Sequence, residues 1–385
     1  MERNKINIVN TLLQWGLFLC INVLFVIKFA PRIGLNSIVC AIIYGVLVIG
    51  LAGLYHHFVA PRLNERAARN ISLLLVIVIV TLIALAILFI PPLSIRVDRW
   101  SATSYFLDAL FQGIYPYGVH THVCDTNYPS PFPLWQYLNM PFWAIGDVGW
   151  QQAFFLLLFL AAVWYYFRSW RTLLTVILLI CLSPAYWWEV ATRSDGVSNV
   201  WFVLTCILFI QRKPIEMDNQ WWILALISGC IASTRLSAVI PLALFLFRPW
   251  IDTNWKKKIG FICIALGVVI VFLLPYVLWD TTNWIFFEHN PFITQTIQGN
   301  IWILLVMVVV AMVIAYKKQT FYYYVSTTSA FVFAFMLISQ LGRMWSQEVP
   351  STLFDSCCDI SYMTLALPFV IITLVDKESL SPLTP

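Results

Sequence analysis

An aspartate at the end of a long apolar segment is the residue in this sequence best suited to acid–base chemistry. Asp98 follows the apolar segment Ser72–Leu93 and lies in a short polar stretch. A carboxylate there is partly desolvated and level with the lipid surface, where it can accept a proton from a substrate hydroxyl. The position also suits two structural roles, an ion pair with Arg96 or Arg99 and a cap on a helix beginning near Ser101. Position alone leaves these interpretations open.

Two arginines lie at the mouths of apolar segments, where a charge is costly and usually functional. Arg235 separates two short apolar runs, and Arg193 precedes another. A guanidinium fork matches the oxygens of a phosphate group, so both side chains suit the binding of a phosphorylated ligand. The alternatives for Arg235 are a side chain that snorkels to the interface, or an ion pair with Glu189 or Asp195 at a helix end.

Three histidines are candidates for ligand contact. His120 and His122 lie near Cys124 and Asp125, but the spacing resembles no zinc signature. Hydrogen bonding, or contact with an acceptor substrate, is the expected role of His120 and His122. His289 lies in a second polar stretch, and its side chain is a candidate contact with the donor or the acceptor substrate of a group transfer. The sequence therefore predicts no metal site.

The nine cysteines divide into two groups. Six lie within apolar runs and are predicted to be small buried side chains. Cys124, Cys357 and Cys358 lie in segments that we place outside the cytoplasm, where an oxidising compartment permits a bridge. A disulfide from Cys124 to Cys357 or Cys358 is compatible with the sequence, but no pattern requires it.

The composition indicates lipid around most of the molecule. Of the 385 residues, 61% are hydrophobic and 11% are charged, against about 25% charged residues in soluble domains. Apolar runs of transmembrane length, or somewhat shorter, recur along the chain. We therefore expect an all-α, polytopic integral membrane protein with about 12 transmembrane helices, forming a single membrane domain over residues 1–385. The candidate segments are Ile8–Phe29, Leu35–Tyr55, Ser72–Leu93, Gln151–Phe167, Thr172–Trp188, Val197–Ile210, Trp221–Ser233, Ser237–Phe247, Ile259–Trp279, Ile301–Tyr316, Phe321–Gln340 and Ile360–Val375.

The distribution of charge predicts the orientation of these segments. With both termini in the cytoplasm, 16 of the 23 Lys and Arg residues fall on cytoplasmic loops, in agreement with the positive-inside rule. Residues 95–150 then form a long outer loop, between three apolar segments in residues 1–94 and the remaining segments in residues 151–385. Two stretches of that loop, Ala102–Gln112 and Pro133–Ile145, are predicted to be amphipathic helices at the membrane interface.

The order of four short segments resembles the GT-C class of glycosyltransferases, in particular its bacterial polyprenyl-phosphate-dependent, mannosyltransferase-like branch. Asp98 to Gly118 resembles the first outer loop of that class, in which an aspartate after a transmembrane helix precedes an amphipathic helix and a Gly-x-x-Pro-Tyr-like turn. Tyr128–Leu134 is similar to the element that opens the second interfacial helix. Asp195–Asn199 resembles a polar step before a helix, and Ala232–Leu236, followed by Arg248, resembles a small-residue hairpin with one cation at its turn.

This resemblance implies an inverting glycosyltransferase in a bacterial inner membrane. It would move a sugar from a polyprenyl-phosphate-linked donor to a lipid-linked or envelope glycan on the extracytoplasmic face, with no cofactor besides the donor. Asp98 would be the catalytic base. The donor phosphate would be bound by Arg235, Arg193 and Arg99, and substrate contacts are expected from Tyr117, Asp195, His120, His122 and His289.

Two other functions stay open on the sequence. An O-antigen-type polymerase or ligase also has about a dozen spans with outer Arg and His residues, and would move a whole glycan from a diphosphate carrier. A secondary transporter is disfavoured, because the ionisable residues gather outside rather than at mid-membrane and no inverted repeat is visible. Nucleic-acid binding has no support, and the lack of an Asp-x-Asp motif favours a lipid-linked donor over a nucleotide sugar.

Overall fold

The computed structural model describes residues 2–213, 215–286, 290–296, 301–317, 320–346, 354 and 359–375. Throughout these residues the regular structure is helical, without a β-strand, which confirms the all-α prediction. The α-helices in chain order are α1 (Glu2–Phe29), α2 (Ser37–Leu54), α3 (Glu65–Phe89), α4 (Arg99–Phe111), α5 (Pro133–Ala144), α6 (Gln151–Phe167), α7 (Trp170–Cys181), α8 (Pro184–Ala191), α9 (Asp195–Arg212), α10 (Trp221–Ala232), α11 (Leu236–Asp252), α12 (Trp255–Trp279), α13 (Thr281–Phe286), α14 (Pro291–Thr296), α15 (Ile301–Tyr316), α16 (Phe321–Ser346) and α17 (Leu367–Thr373).

Six helices among the described residues are long and apolar enough to cross a membrane. A seventh span results if α7 and α8, bent by 69° at their break, count as one. Each of the twelve predicted segments contains a helix, but several of these helices, such as α10, are too short to cross a bilayer alone. The structure is that of a helical membrane protein, and the prediction of about 12 spans is not confirmed. The six ranges are Val9–Ile33, Ser37–Arg62, Glu65–Phe89, Val148–Phe167, Trp255–Trp279 and Phe321–Gly342.

The chain divides into two compact units. The first unit comprises Met1–Leu82, Leu160–Glu189 and Gln319–Pro385. The second unit comprises Ile83–Phe159 and Val190–Lys318. Both units are assembled from segments that are separated along the chain, so each depends on packing between distant helices.

Buried polar side chains join helices of the first unit. Gln14 of α1 donates through Nε2 to Oγ of Ser326 at 3.0 Å, and its Oε1 accepts from Ser329 Oγ at 2.8 Å and Thr373 Oγ1 at 3.0 Å. Interhelical hydrogen bonds of this kind stabilise helix packing where lipid removes the hydrophobic driving force. The Gln14 carboxamide is thus satisfied on both its atoms, and it holds α1, α16 and α17 together.

Asn22 explains how the sharp bend between α7 and α8 is tolerated. Its Oδ1 accepts from Ser183 Oγ at 2.6 Å and from the Ala185 backbone N–H at 3.1 Å. The first N–H groups of a helix have no partner within that helix. Asn22 supplies one from α1, so the first turn of α8 is satisfied although it is buried.

Glycines allow two helices of the second unit to approach closely. A Cβ added at Gly229 of α10 would lie 2.7 Å from the Ala265 carbonyl oxygen of α12, and one at Gly260 of α12 would lie 2.6 Å from the Trp221 ring. Small residues at such contacts let helix backbones come near each other. The close pairing of α10 and α12 sets the position of the turn that follows α10.

Candidate functional site

Asp98 lies immediately before α4. Its backbone oxygen accepts hydrogen bonds from Ala102 N at 2.8 Å and Ser101 Oγ at 3.0 Å. Because the Asp98 backbone is helical (φ −79°, ψ −7°) rather than extended, its carboxylate makes no capping bond, which excludes the capping role. The carboxylate Oδ1 lies 3.8 Å from Nε of Arg99, and the Asp98 side chain is 32% exposed. Asp98 is thus paired with an arginine and still accessible.

Asp195 begins α9 and receives two guanidinium groups. Ser194 caps the helix, its Oγ accepting from Gly196 N at 3.4 Å. The fully buried Asp195 carboxylate pairs through Oδ2 with Arg235, and its Oδ1 lies 4.0 Å from Nη1 of Arg99. The positive end of the helix adds to the stabilisation of this carboxylate. Each oxygen of Asp195 therefore faces a different arginine.

Arg235 is the last of the three residues between α10 and α11 and immediately precedes Leu236. Its backbone is extended (φ −156°, ψ 151°), and its side chain is buried rather than snorkelling to an interface. Besides the pair with Asp195, Nη2 of Arg235 donates to Ser130 Oγ at 3.3 Å. Of the alternatives considered for Arg235, the structure shows the ion pair with Asp195.

Gln295 of α14 fastens the segments around Arg235. Its Oε1 accepts from Leu236 N at 2.8 Å, and its Nε2 donates to the Ser130 carbonyl oxygen at 2.7 Å. A further bond runs from Phe132 N to the Thr234 carbonyl oxygen at 3.0 Å. Sequence reasoning missed Gln295, because a glutamine in a short polar and apolar stretch carries no signal of this role.

Four predicted residues therefore meet in one chain of ion pairs, Asp98–Arg99–Asp195–Arg235, which we call the charged chain. Arg99, Asp195 and Arg235 are buried, and Asp98 is the one member of the four that reaches solvent. Burying an ion costs several kcal/mol even after relaxation, and a pair repays this only with good geometry. The two guanidinium groups of the chain match the oxygens of an anionic ligand such as a phosphate group.

Arg193 lies outside the charged chain in a separate cluster. Its Nη2 donates to the carbonyl oxygens of Ile87 at 2.7 Å and Ile90 at 2.9 Å, and its Nε lies 3.0 Å from Asp147 Oδ2. The carbonyls at the end of α3 are otherwise left without helical partners. Arg193 has a left-handed backbone (φ 53°), which is uncommon outside glycine. Its contacts with protein groups indicate a structural role at the end of α3.

Tyr117 is an aromatic core residue. It is fully buried against Phe106 and Tyr276, and its hydroxyl donates to the Pro131 carbonyl oxygen at 3.0 Å. Burial, and then the neighbouring tyrosines, raise the pKa of Tyr117 well above its usual value. The predicted substrate contact therefore finds no exposed surface on this side chain.

The two described histidines contact neutral groups. His122 bonds through Nδ1 to Ser101 Oγ at 2.7 Å and through Nε2 to the Ile95 carbonyl oxygen at 3.1 Å, so both ring nitrogens are engaged. His120 is exposed and packs near the Tyr128 ring, with 4.7 Å between centroids. His289 lies outside the described residues. So do Cys357 and Cys358, the two candidate disulfide partners of Cys124. Within the described part of the chain no group of three His, Cys, Asp or Glu side chains could hold a metal ion.

The fold and this site together define a helical membrane protein with a largely buried chain of two arginines and two aspartates that ends in a partly exposed carboxylate. No family model, curated protein or solved structure matches the chain.

Proposed function

We propose that this protein is an inverting glycosyltransferase that takes a sugar from a polyprenyl-phosphate-linked donor. One observation carries the proposal, the charged chain itself. It combines an accessible carboxylate at Asp98 with two buried arginines, Arg99 and Arg235, that both face the carboxylate of Asp195. A transferase of this kind needs both a base and a cationic group near the lipid surface.

The chemistry assigns a role to each end of the charged chain. Asp98 accepts the proton of the acceptor hydroxyl while the acceptor oxygen forms a bond to the anomeric carbon. The acceptor oxygen attacks that carbon on the face opposite the phosphate, and the bond between the carbon and the phosphate oxygen breaks, so the configuration inverts. The leaving phosphate keeps the electron pair, and Arg99 and Arg235 stabilise its charge. Arg193 is left out of this assignment, because its contacts are with α3 carbonyls and Asp147.

The acceptor is a lipid-linked or envelope glycan, and the site faces away from the cytoplasm. The placement of 16 of the 23 Lys and Arg residues on the opposite side supports this orientation. The resemblance of Asp98 to Gly118 to the first outer loop of GT-C enzymes supports the same assignment.

Substitution of Asp98 tests the proposal. Asp98→Asn keeps the shape of the side chain but cannot accept a proton, so the transfer rate should fall by about 10²–10⁴ while donor binding persists. Transfer of radiolabelled sugar from prenyl-phosphate donors to membrane glycans measures the rate. Asp125→Asn is the matched control, since Asp125 is exposed and makes no contact with the charged chain in the described structure.

The competing structural role predicts a different result. If Asp98 only pairs with Arg99, Asp98→Asn should lower the unfolding temperature and leave the turnover of the folded protein unchanged. Stable Asp98→Asn protein with wild-type transfer would overturn the assignment of the base. Solute counterflow in vesicles of the purified protein, without any sugar transfer, would favour a transporter instead.

A further inference from the structure

A histidine ring holds the segment that carries Asp98 from both sides. His122 bonds through Nδ1 to Ser101 Oγ at 2.7 Å and through Nε2 to the Ile95 carbonyl oxygen at 3.1 Å. Ile95 lies three residues before Asp98, and Ser101 lies three residues after it. The backbone N–H of His122 also donates to Ser101 Oγ, at 3.2 Å. One ring therefore bridges residues 95–101, with Asp98 at their centre.

Both ring bonds lead to the backbone around Asp98. On one side, Ser101 Oγ donates to the Asp98 carbonyl oxygen at 3.0 Å. On the other side, the Ile95 carbonyl oxygen that accepts from Nε2 of His122 also accepts from Val97 N at 2.8 Å. A carbonyl oxygen can only accept, so Nε2 carries a proton and donates it. The peptide groups before and after Asp98 are thus tied to the same side chain.

The loop that supplies the ring is itself closed by hydrogen bonds. Thr121 N donates to the Asn127 carbonyl oxygen at 2.9 Å, and Asn127 N donates to the Cys124 carbonyl oxygen at 3.1 Å. Thr121 is buried, and His122 is half-buried. Because both of its nitrogens are bonded to protein groups, the His122 ring has a fixed orientation and is not left to bind a substrate.

A catalytic base depends on such support. It must come within hydrogen-bond reach of the proton that it accepts, and a misplacement of about 1 Å can cost about 10²-fold in rate. The Asp98 side chain is 32% exposed, so core packing does not fix its position. Its placement therefore depends on the backbone that carries it, and side chains that lock this backbone preorganise the site.

We propose that His122 is a positioning residue, which joins Ile95 to Ser101 and so holds the Asp98 carboxylate at the place where it meets the acceptor hydroxyl. This inference rests on the proposed function, in which Asp98 is the base. It replaces the substrate contact that the sequence suggested for His122. Since the ring acts through Asp98 and does not touch the donor, its loss should lower kcat and leave the KM for the donor near the wild-type value.

Hydrogen exchange of the purified full-length protein tests the bridge without reference to any activity. His122→Ala removes both ring bonds and keeps the bond from the backbone N–H. Exchange at the amides of Val97 and Ala102 should become faster by roughly fivefold, the ratio that corresponds to one net hydrogen bond. His57→Ala is the matched control, because His57 is an exposed histidine in the turn that follows α2. It should leave exchange at both amides unchanged.

Transfer of radiolabelled sugar from a prenyl-phosphate donor tests the positioning role. His122→Ala should lower kcat by up to about 10²-fold, whereas His57→Ala should not change it. An asparagine amide nitrogen takes the place of Nδ1, and a glutamine amide nitrogen takes that of Nε2. His122→Asn and His122→Gln each keep one ring bond, so each should recover part of the lost rate. Both variants also replace His122→Ala in the exchange measurement if that variant fails to fold.

The results distinguish this inference from the proposed function. Unchanged exchange at Val97 and Ala102 in the His122 variants would overturn the bridge. Faster exchange with a wild-type kcat, or a kcat that falls only as much as the folded fraction, would overturn the positioning role and leave a structural one. Faster exchange in a protein whose wild type transfers no sugar would retain His122 as the residue that holds Asp98, and would contradict the proposed function instead.

Discussion

At the residue scale, Asp195 is the member on which the charged chain depends. Its carboxylate is the shared partner of Arg99 and Arg235, and all three side chains are buried. Removing one partner of a buried ion pair leaves an uncompensated charge, which is far more costly than the pair itself is favourable. Replacing Asp195 with a neutral residue also makes the site more attractive to an anion. Asp195 therefore couples stability to ligand binding.

We expect Asp195→Asn to lower the free energy of unfolding by about 3 kcal/mol, because two buried guanidinium groups lose their common carboxylate. A bound phosphate replaces that negative charge. Prenyl phosphate should therefore raise the unfolding temperature of Asp195→Asn by more than it raises that of the wild type. Thermal unfolding in detergent, with and without the ligand, measures both shifts. Equal shifts would contradict a phosphate site at these arginines.

Asp252→Asn provides the control for this measurement. Asp252 also pairs with an arginine, Arg248, but the pair is four residues apart on α11 and partly exposed. Exposed pairs of this kind contribute little to stability, because water screens their attraction. Asp252→Asn should therefore change the unfolding temperature little, and prenyl phosphate should act on it as on the wild type.

Gly149 is a second residue on which packing depends, because its lack of a side chain leaves room for Arg193. A Cβ at this position would lie 2.8 Å from both Cδ and Cγ of Arg193 and 2.9 Å from Asp147 Oδ1. Arg193 cannot withdraw without losing its bonds to the carbonyls of Ile87 and Ile90. Gly149→Ala should thus destabilise the protein by about 1–3 kcal/mol, the usual cost of overpacking.

Gly16→Ala is the matched control for Gly149→Ala. A Cβ at Gly16 of α1 would meet no heavy atom within 4 Å. Since alanine is also the better helix former, Gly16→Ala should leave stability unchanged or raise it by up to about 1 kcal/mol. Chemical unfolding of both variants gives the comparison. A loss of stability in Gly16→Ala equal to that in Gly149→Ala would refute the packing explanation.

At the scale of elements, the first turns of two helices are held by single polar side chains. The start of α11 is fastened by Gln295, and the first turn of α8 by Asn22. With eight residues, α8 is marginal by itself. Their geometry therefore depends on partners from distant parts of the chain, and removing one such partner should act on a whole element.

Asn22→Leu tests this dependence. The substitution leaves the Ala185 N–H and the Ser183 hydroxyl without their acceptor, which should cost about 1–3 kcal/mol. Hydrogen exchange should increase first at the amides of α8, which lie at the 69° bend. Asn70→Leu, at an exposed position of α3, should leave both quantities near their wild-type values. Unchanged exchange in α8 would show that the bend does not need Asn22.

At the scale of the whole molecule, the orientation in the membrane decides which compartment supplies the substrates. Cys124 is a native reporter, because it is exposed and lies in the segment between α4 and α5. Hydrogen bonding to Thr126 lowers the pKa of Cys124. A lower pKa increases the thiolate fraction at neutral pH, and the thiolate is the reactive form.

A variant that keeps Cys124 as its only cysteine should react with an impermeant maleimide in intact cells. A cysteine-free variant carrying Arg66→Cys, at an exposed position in the first turn of α3 on the proposed cytoplasmic side, should react only after permeabilisation. Gel-shift labelling reads out both. If Cys124 is protected and Arg66→Cys is labelled in intact cells, the proposed orientation is inverted, and so is the compartment of the charged chain.

The sequence alone determined that this is a helical membrane protein and where most of its helices lie. Hydropathy acts locally, so the apolar runs marked the long helices and the amphipathic stretches marked α4 and α5, whereas α13 and α14 lie outside every predicted segment. Asp98, Asp195 and Arg235 could be singled out because charges beside apolar segments are costly. These inferences needed no knowledge of which segments meet.

Only the tertiary structure decided which of those charges lie together. Asp195 joins Arg99 and Arg235, whereas Arg193, which is just as conspicuous in the sequence, holds the end of α3. Among the described residues, six helices, or seven if α7 and α8 count as one span, are able to cross the membrane, fewer than the twelve apolar runs. Contacts between residues far apart in the chain depend on how the helices pack, and an apolar run has the same local pattern whether lipid or protein covers it.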